Sequence, residues 1–217
     1  MFTGIIEEVG RVIEARRRAD SMTLTIAAHA ILGDIGAGDS VCIDGVCQTV
    51  TACSNIGFTF DAQMETIRKT TLGTFVPGRF VNLERSLTIE KPLGGHFVQG
   101  HVNGTGRIAG IGKKGSNVYA TVSIPGDLIL YCVREGSIAL DGISFTISEL
   151  SGNLVTINVI PYTFHQTTIQ YKRVGDMVNI ETDLLGRYVG RFLEFQRIAM
   201  SGTENTLTEE TLRQWGW

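Results

Sequence analysis

Apolar and hydroxyl side chains alternate without a break from Ile143 to Ser148. Ile143, Phe145 and Ile147 fall on one side of an extended chain, and Ser144, Thr146 and Ser148 on the other. With the Asp141-Gly142 turn ahead of it, this run predicts a strand with one face in a core and one face lined by hydroxyls. The same phase occurs earlier, with Val46 and Val50 inward and Cys47, Thr49 and Thr51 on the polar face. Gln48 stands on the apolar side there, so either its site is partly open or its amide finds partners. Short alternating runs punctuated by Gly, Asn and Asp recur about every ten residues, the pattern of a small barrel or sandwich.

The two runs are parts of a longer echo. A shift of 97 positions places Ser40 on Ser137, Asp44-Gly45 on Asp141-Gly142, Thr49 on Thr146, Thr66 on Thr163, Val81-Asn82 on Val178-Asn179 and Glu84 on Glu181. Nearer the repeat starts the shift is 96, with Gly4 on Gly100 and Gly10-Arg11 on Gly106-Arg107. The chain is therefore a duplication: two similar β units, two similar pockets, and chemistry that needs two similar molecules. The domains expected are residues 1–90 and 96–182, with Pro92 and Gly94-Gly95 in the connection.

Two segments leave a strand and enter a turn or a one-turn helix, Asp61–Thr71 and Asn158–Thr168, with Thr66 and Thr163 expected as N-caps. From Asp183 the period changes. Leu184, Leu185, Tyr188, Val189, Phe192, Leu193 and Phe195 recur at helical spacing, which predicts a helix over 183–200. Gly186 and Gly190 each cost such a helix up to about 1 kcal/mol against Ala, so packing must hold it. Its broad apolar surface reads as an oligomer contact. Residues 201–217 are polar and expected to form a flexible tail.

Composition narrows the partners. The 217 residues carry a net charge of -3 with no basic cluster, so there is no electrostatic footprint for nucleic acid. No apolar run reaches the roughly 18 residues of a membrane span, and the first residues lack the pattern of a signal peptide. Cys42, Cys47, Cys53 and Cys132 show no C-x-x-C and no pairing across the repeats, which reads as reduced thiols in a cytoplasmic protein. No phosphate-binding loop, Ser-His-Asp arrangement or zinc ligand set is present in the sequence.

Among single residues, Cys47 lies on the hydroxyl-lined face opposite Ser144 in the echo, open to roles as nucleophile, acid or hydrogen-bond partner. His101 exists in one copy, since its counterpart is Ile5, and its titration range suits proton transfer. His96 precedes it by five residues, which in a strand places the two on opposite faces and argues against a shared metal. The paired sets Ser40/Ser137, Asp44/Asp141, Thr49/Thr146 and Thr66/Thr163 suit two copies of a polar ring system or polyol tail. They are also ordinary turn and strand residues.

The opening Met-Phe-Thr-Gly-Ile-Ile, the run Gly45–Thr51, Val81–Arg85, Gly94-Gly-His-Phe-Val-Gln-Gly-His-Val102, Gly136–Thr146 and Val178–Asp183 together resemble the riboflavin synthase family of lumazine-binding repeats. The resemblance covers about residues 1–195, with the motifs in the family's order. It implies an all-β fold of tandem six-stranded Greek-key barrels with a C-terminal α-helix, and a homotrimer joined through that helix. It also implies a cofactor-free, metal-free transferase. Two molecules of 6,7-dimethyl-8-ribityllumazine exchange a four-carbon unit to give riboflavin and 5-amino-6-ribitylaminouracil, the last step of riboflavin biosynthesis. Association with lumazine synthase is a further implied partner. Each active site would lie between the N-terminal barrel of one subunit and the C-terminal barrel of another.

Carried onto this sequence, the resemblance frames one substrate by Gly4, Ile5, Ile6, Cys47, Gln48, Thr49 and the stretch Asp61, Ala62, Gln63, Met64, Glu65 and Thr66. The second is framed by Gly100, His101, Val102, Ser144, Phe145, Thr146 and the stretch Val159, Ile160, Pro161, Tyr162, Thr163 and Phe164. Ser40 and Glu135 complete the binding set. His101 and Ser144 are the expected proton-handling pair, with Cys47 and Thr146 giving polar assistance. Two positions depart from the family's pattern: Arg134-Glu135 where many members carry Lys, and Gln48 where many carry Leu. A non-catalytic lumazine- or flavin-binding antenna protein of the same family is the rival reading. The intact Gly94–Val102 segment weighs against it. A tandem barrel module for oligonucleotides or a partner protein is a more distant rival, without basic or aromatic stacking patches to support it.

Overall fold

A computed structural model describes residues 1–201 and 209–214 of the chain. The first repeat forms β1 (Glu8–Arg17), β2 (Ser21–Ala27), β3 (Ser40–Ile43), β4 (Val46–Ser54), β5 (Gly57–Gln63) and β6 (Phe80–Arg85). The second forms β7 (Gly104–Lys114), β8 (Asn117–Ser123), β9 (Ser137–Leu140), β10 (Ile143–Ser151), β11 (Leu154–Val159) and β12 (Met177–Thr182). Each set closes into an antiparallel barrel, in the order β1-β2-β5-β4-β3-β6 and, equivalently, β7-β8-β11-β10-β9-β12. Closure removes every free strand edge. The bends that allow it are duplicated too: bulges at Val12/Glu14 and Val50/Ala52 recur at Ile108/Gly110 and Ile147/Glu149.

The alternation read from sequence sorts as expected. Val46 and Val50, like Ile143, Phe145 and Ile147, are buried, while Thr49 and Thr146 are exposed. Gln48 is buried as well, and its Nε2 donates to the Cys47 carbonyl at 2.6 Å, so the amide has a partner. Phe58 and Phe60 fill the first barrel where Val155 and Ile157 fill the second.

Where the barrels meet, few groups do the joining. Phe2 and Val98 form an isolated antiparallel bridge, and with Cys42 and Ala139 they make a small core of their own. Asp44-Gly45 and Asp141-Gly142 are hairpin turns with positive φ at both residues (44° and 83°, 46° and 77°), the mirror-image type that matches strand twist. They pack back to back: a Cβ on Gly45 would lie 2.7 Å from the Gly142 nitrogen. The fully buried Asn82 donates from Nδ2 to the Asp141 carbonyl at 2.9 Å and accepts the Thr168 N–H at 2.8 Å. Asn179 makes the converse pair with the Asp44 carbonyl at 2.7 Å and the Thr71 N–H at 2.8 Å. Unpairing any one of these buried groups costs about 1–3 kcal/mol.

Short helices α1 (Met64–Lys69), α2 (Gly126–Ile129) and α3 (Pro161–Gln166) punctuate the barrels. Thr66 and Thr163 are not N-caps. Gln63 and Ile160 hold those places with extended backbone, and the two threonines lie inside α1 and α3. Their carbonyls accept the hydroxyls of Thr70 and Thr167 at 2.7 and 2.8 Å. The C-terminal helix α4 runs Leu184–Ser201, one residue later at each end than the period implies. The expected tail is partly helical, with α5 at Glu209–Gln214; residues 202–208 and 215–217 lie outside the described residues. Among the described residues no helix is long and apolar enough to cross a membrane.

Buried beside the turns, Asp44 has Arg79 at 3.6 Å and Asp141 has Lys172 at 2.5 Å. Burial, and then the charge of Asp141, push Asp44 from 3.8 up to about 7. The folded state therefore holds a proton that the unfolded chain releases near its ordinary value. Stability from this group is full below about pH 4 and is lost as pH rises towards 7, a few kcal/mol in all. Asn at this position would keep the acceptor for the Asn82 N–H (2.8 Å) and tolerate the positive φ. Asp44→Asn should flatten the pH dependence between about 4 and 7, and resist urea better than the parent at about pH 8. Parallel urea midpoints for the two proteins across that range would disprove it.

Candidate functional site

The chain before β1 and the connection before β7 each cross from one barrel to the other. Gly4 and Gly100 both sit at φ 77°. The Gly4 carbonyl accepts the Ser144 N–H at 2.8 Å, and the Gly100 carbonyl accepts the Cys47 N–H at 2.9 Å. Beyond those glycines, Ile6 packs on the core of the second barrel and Val102 on that of the first. The sequence-based frames are therefore exchanged: Gly4-Ile5-Ile6 goes with Ser144, and Gly100-His101-Val102 goes with Cys47. The repeat reveals which residues are equivalent, but not which barrel a connecting segment leans on.

At the first barrel, a cavity of about 180 Å³ brings Cys47, Glu65, Thr66, Gly100, His101 and Val102 together. Lys69 and Thr70 also line it, and sequence reading missed both. Lys69 donates to Glu65 at 2.7 Å across one turn of α1 and lowers the pKa of that exposed carboxyl. Asp61 is exposed on β5 and accepts the Thr23 hydroxyl at 2.5 Å. Ser40 pairs with Thr49 across β3–β4. Gln63 is exposed and Met64 half-buried where β5 passes into α1. Ala62 points into the core, so only its backbone can face a ligand.

The second barrel presents the matching surface. Ser144 is half-buried and Thr146 exposed on the same face of β10, and Thr146 pairs with Ser137. Ile160 and Pro161 open α3, Tyr162 is exposed, Thr163 is half-buried, and Phe164 packs back on the barrel core. Phe145 and Val159 are core residues, leaving their backbones alone for recognition. Glu135, exposed at φ 65°, is tied through its N–H to the Ile147 carbonyl at 2.8 Å, three residues past Ser144 on β10.

Sequence reading also missed His96. It is buried, and its Nδ1 lies 2.7 Å from Ser144 Oγ; Nε2 is buried without a protein partner. Burial lowers its pKa, more than the Asp183 charge restores it, so the ring is neutral near pH 7. A neutral imidazole in contact with a hydroxyl can take its proton or hold it while a partner reacts. His101, expected beside Ser144, is instead exposed at the Cys47 cavity. The two histidines do not alternate across a strand, because only Val98 in this segment makes a bridge. Gly95 is what admits His96: a Cβ there would fall 2.0 Å from the Thr3 carbonyl and 2.9 Å from Ser144 Cβ. The Gly94-Gly95 pair before His96 was the available signal of such an approach. Cys42 stays an inert core thiol, its pKa raised by burial. A larger cavity of about 360 Å³, between Thr71, Arg79, Phe80, Thr168, Tyr171 and Lys172, contains neither histidine nor either of Cys47 and Ser144.

The lumazine binding domain model matches the chain twice, over residues 3–86 and 99–183. The riboflavin synthase of Bacillus amyloliquefaciens is 42% identical over 214 residues, 99% of this chain and 96% of that protein. That of Bacillus subtilis (strain 168) is 40% identical over 217 residues, the whole of both. Among solved structures, LumP complexed with 6,7-dimethyl-8-(1'-D-ribityl) lumazine superposes with a TM-score of 0.77 at 26% identity, over 84% of this chain and 99% of that one. LumP complexed with riboflavin gives 0.79 at 27%, with the same coverage.

The crossing segments yield a direct test. A Cβ on Gly100 would meet Cys47 Cβ at 2.6 Å in a backbone conformation that side chains rarely adopt, whereas one on Gly94 meets only Ile5 at 3.5 Å. Gly100→Ala should cost about 1–3 kcal/mol and speed labelling of Cys47 by a thiol reagent. Gly94→Ala should stay within about 0.5 kcal/mol of the parent. Equal behaviour of the two variants would contradict the close packing of Gly100 on Cys47.

Proposed function

This chain belongs to the riboflavin synthase family of lumazine-binding proteins, and we propose on that premise that it dismutates two molecules of 6,7-dimethyl-8-ribityllumazine to riboflavin and 5-amino-6-ribitylaminouracil. The observation that carries the reading is the duplicated site, a cavity at Cys47 and the equivalent surface at Ser144, whose two copies differ in their chemistry. Each barrel offers a hydroxyl-lined strand face, a short helix and a crossing segment. One copy adds Ser144 with His96, the other Cys47 with His101. Two identical substrates that must act as donor and acceptor need two such unequal sites.

One lumazine lies on each barrel. Backbone amides and carbonyls of the crossing segments and of Cys47–Thr49 and Ser144–Thr146 read the pyrimidinedione edge, and the hydroxyls hold the ribityl chain. The acidic C7 methyl of the acceptor lumazine loses a proton, and the resulting carbanion attacks the donor, which a nucleophile has activated by adding at C7. Two carbon–carbon bonds to the acceptor form as the donor's two C–N bonds to its four-carbon unit break, the added nucleophile leaves again, and the donor departs as 5-amino-6-ribitylaminouracil. We assign proton transfer at the second barrel to Ser144 and His96, with Thr146 two residues along the same face. His101 and Cys47 serve the first barrel. Holding both reactants in place turns a bimolecular encounter into an intramolecular one.

The finer parts of the proposal concern assembly and location. In α4, the side chains of Leu185, Tyr188, Val189, Phe192, Leu193 and Phe195 are between 53% and 69% exposed, an apolar surface suited to contact between subunits of a homotrimer. Sites would then form between an N-terminal barrel and the C-terminal barrel of another subunit. A cytoplasmic location fits four free cysteines. Association with lumazine synthase rests on the family resemblance. The antenna reading is weaker, because LumP shares 26–27% identity with this chain against 40–42% for the two Bacillus synthases.

Purified protein given the lumazine alone should make one riboflavin for every two lumazines consumed. Tight binding without product would instead favour the antenna reading. Ser144→Ala and His96→Ala should each lower turnover by about 10²-fold while binding changes only a few-fold; equal losses in both would reassign the pair to ligand positioning. Phe192→Asp on α4 should shift the mass seen by light scattering from trimer to monomer, and an unchanged trimer would refute the helix as the contact.

A further inference from the structure

Two buried glutamates lie outside the pockets at equivalent places, Glu84 near the end of β6 and Glu181 near the end of β12. Glu84 accepts the Thr3 N–H at 2.8 Å, the Thr3 hydroxyl at 2.6 Å and, on its other oxygen, the Gly4 N–H at 3.0 Å. Glu181 accepts the Gln99 N–H at 2.7 Å on one oxygen and the Gly100 N–H at 3.0 Å on the other. In both cases one carboxylate grips two successive amides. The second amide always belongs to the glycine whose carbonyl receives a pocket residue of the opposite barrel, Ser144 for Gly4 and Cys47 for Gly100.

We propose that Glu84 and Glu181 are positioning residues: each barrel uses one buried carboxylate to fix the segment that closes the other barrel's pocket, and Glu181 thereby places His101 beside Cys47. The proposal rests on the reading of these pockets as the paired lumazine sites. A carboxylate is the side chain this task requires, since it offers two acceptor oxygens and no hydrogen. Gln offers one acceptor, and its N–H₂ would face a backbone donor. The loosened glycine would then carry its carbonyl away from Cys47 and move the next residue, His101. Loss of orientation of this kind lowers turnover more than affinity, because binding tolerates displacements that the reacting geometry does not.

The test uses the full-length protein and its Glu181→Gln variant, with amide hydrogen exchange beside steady-state kinetics on 6,7-dimethyl-8-ribityllumazine. Exchange at Gln99 and Gly100 should quicken about tenfold or more while β7–β12 stay protected. In the same variant kcat should fall about tenfold or more, with KM within about threefold of the parent. Glu84→Gln should act likewise on Thr3 and Gly4, and serves as the second variant if the first folds poorly. Protected amides at Gln99 and Gly100 would overturn the proposal, as would loosened amides with unchanged kcat. Protection lost evenly over the barrel would make Glu181 a folding residue and overturn it too. If the parent protein converts no lumazine, the riboflavin synthase reading fails, and the exchange measurement alone still decides whether Glu181 holds the segment.

Discussion

A closed barrel has no strand edge to lend, and that constraint governs how this molecule is joined. Two open sheets can continue into one another through a ladder of main-chain hydrogen bonds. Two sealed barrels must meet through turns, single side chains and segments that belong to neither strand set. Hence the weight carried by Asn82 and Asn179, whose buried amides reach across to Asp141 and Asp44. Hence also the one-residue bridge at Phe2 and Val98, and the crossing of Gly4 and Gly100 onto the opposite barrel. The pockets are a product of the same constraint, because the segments that tie the barrels together are the ones that close them over.

Much of this is legible in the sequence. Period-two alternation and the Asp-Gly turns marked β3–β4 and β9–β10, since a strand with one buried face leaves no freedom in register. The duplication told which positions are equivalent. What it did not tell lies in segments without a period. Residues 96–103 are neither strand nor helix over most of their length, so strand alternation is not what separates His96 from His101, although the two do lie apart, at Ser144 and at the Cys47 cavity. The exchange of Gly4–Ile6 with Gly100–Val102 was equally hidden, because connections carry no alternation that says which wall they lie against. Thr66 and Thr163 were misread for a related reason: threonine favours several places near a helix start, and here the extended Gln63 and Ile160 set the boundary. Pro161 at the first helical position was the better signal.

The chemistry divides unequally between the halves. His96 is pressed on Ser144 by a glycine with no room for a side chain, and its ring is held neutral by burial. His101 stands at an open cavity rimmed by Glu65 and Lys69. The two copies thus present unlike surroundings, a buried histidine against a hydroxyl in one and an exposed histidine beside a thiol in the other.

The back-to-back turns at Gly45 and Gly142 carry a consequence for how the halves can change. Their contact is isologous: what the first half does to the second, the second does to the first. A substitution at Asn82 acts on Asp141 and Thr168 of the other half, and one at Asn179 acts on Asp44 and Thr71. Drift on one side is therefore felt at once by the opposite side, and these positions still read alike in both copies. Gln48 and Phe145, or Asp61 and Asn158, have no such partner in the other half and have parted ways. The two halves are locked in step where a side chain of one holds the backbone of the other.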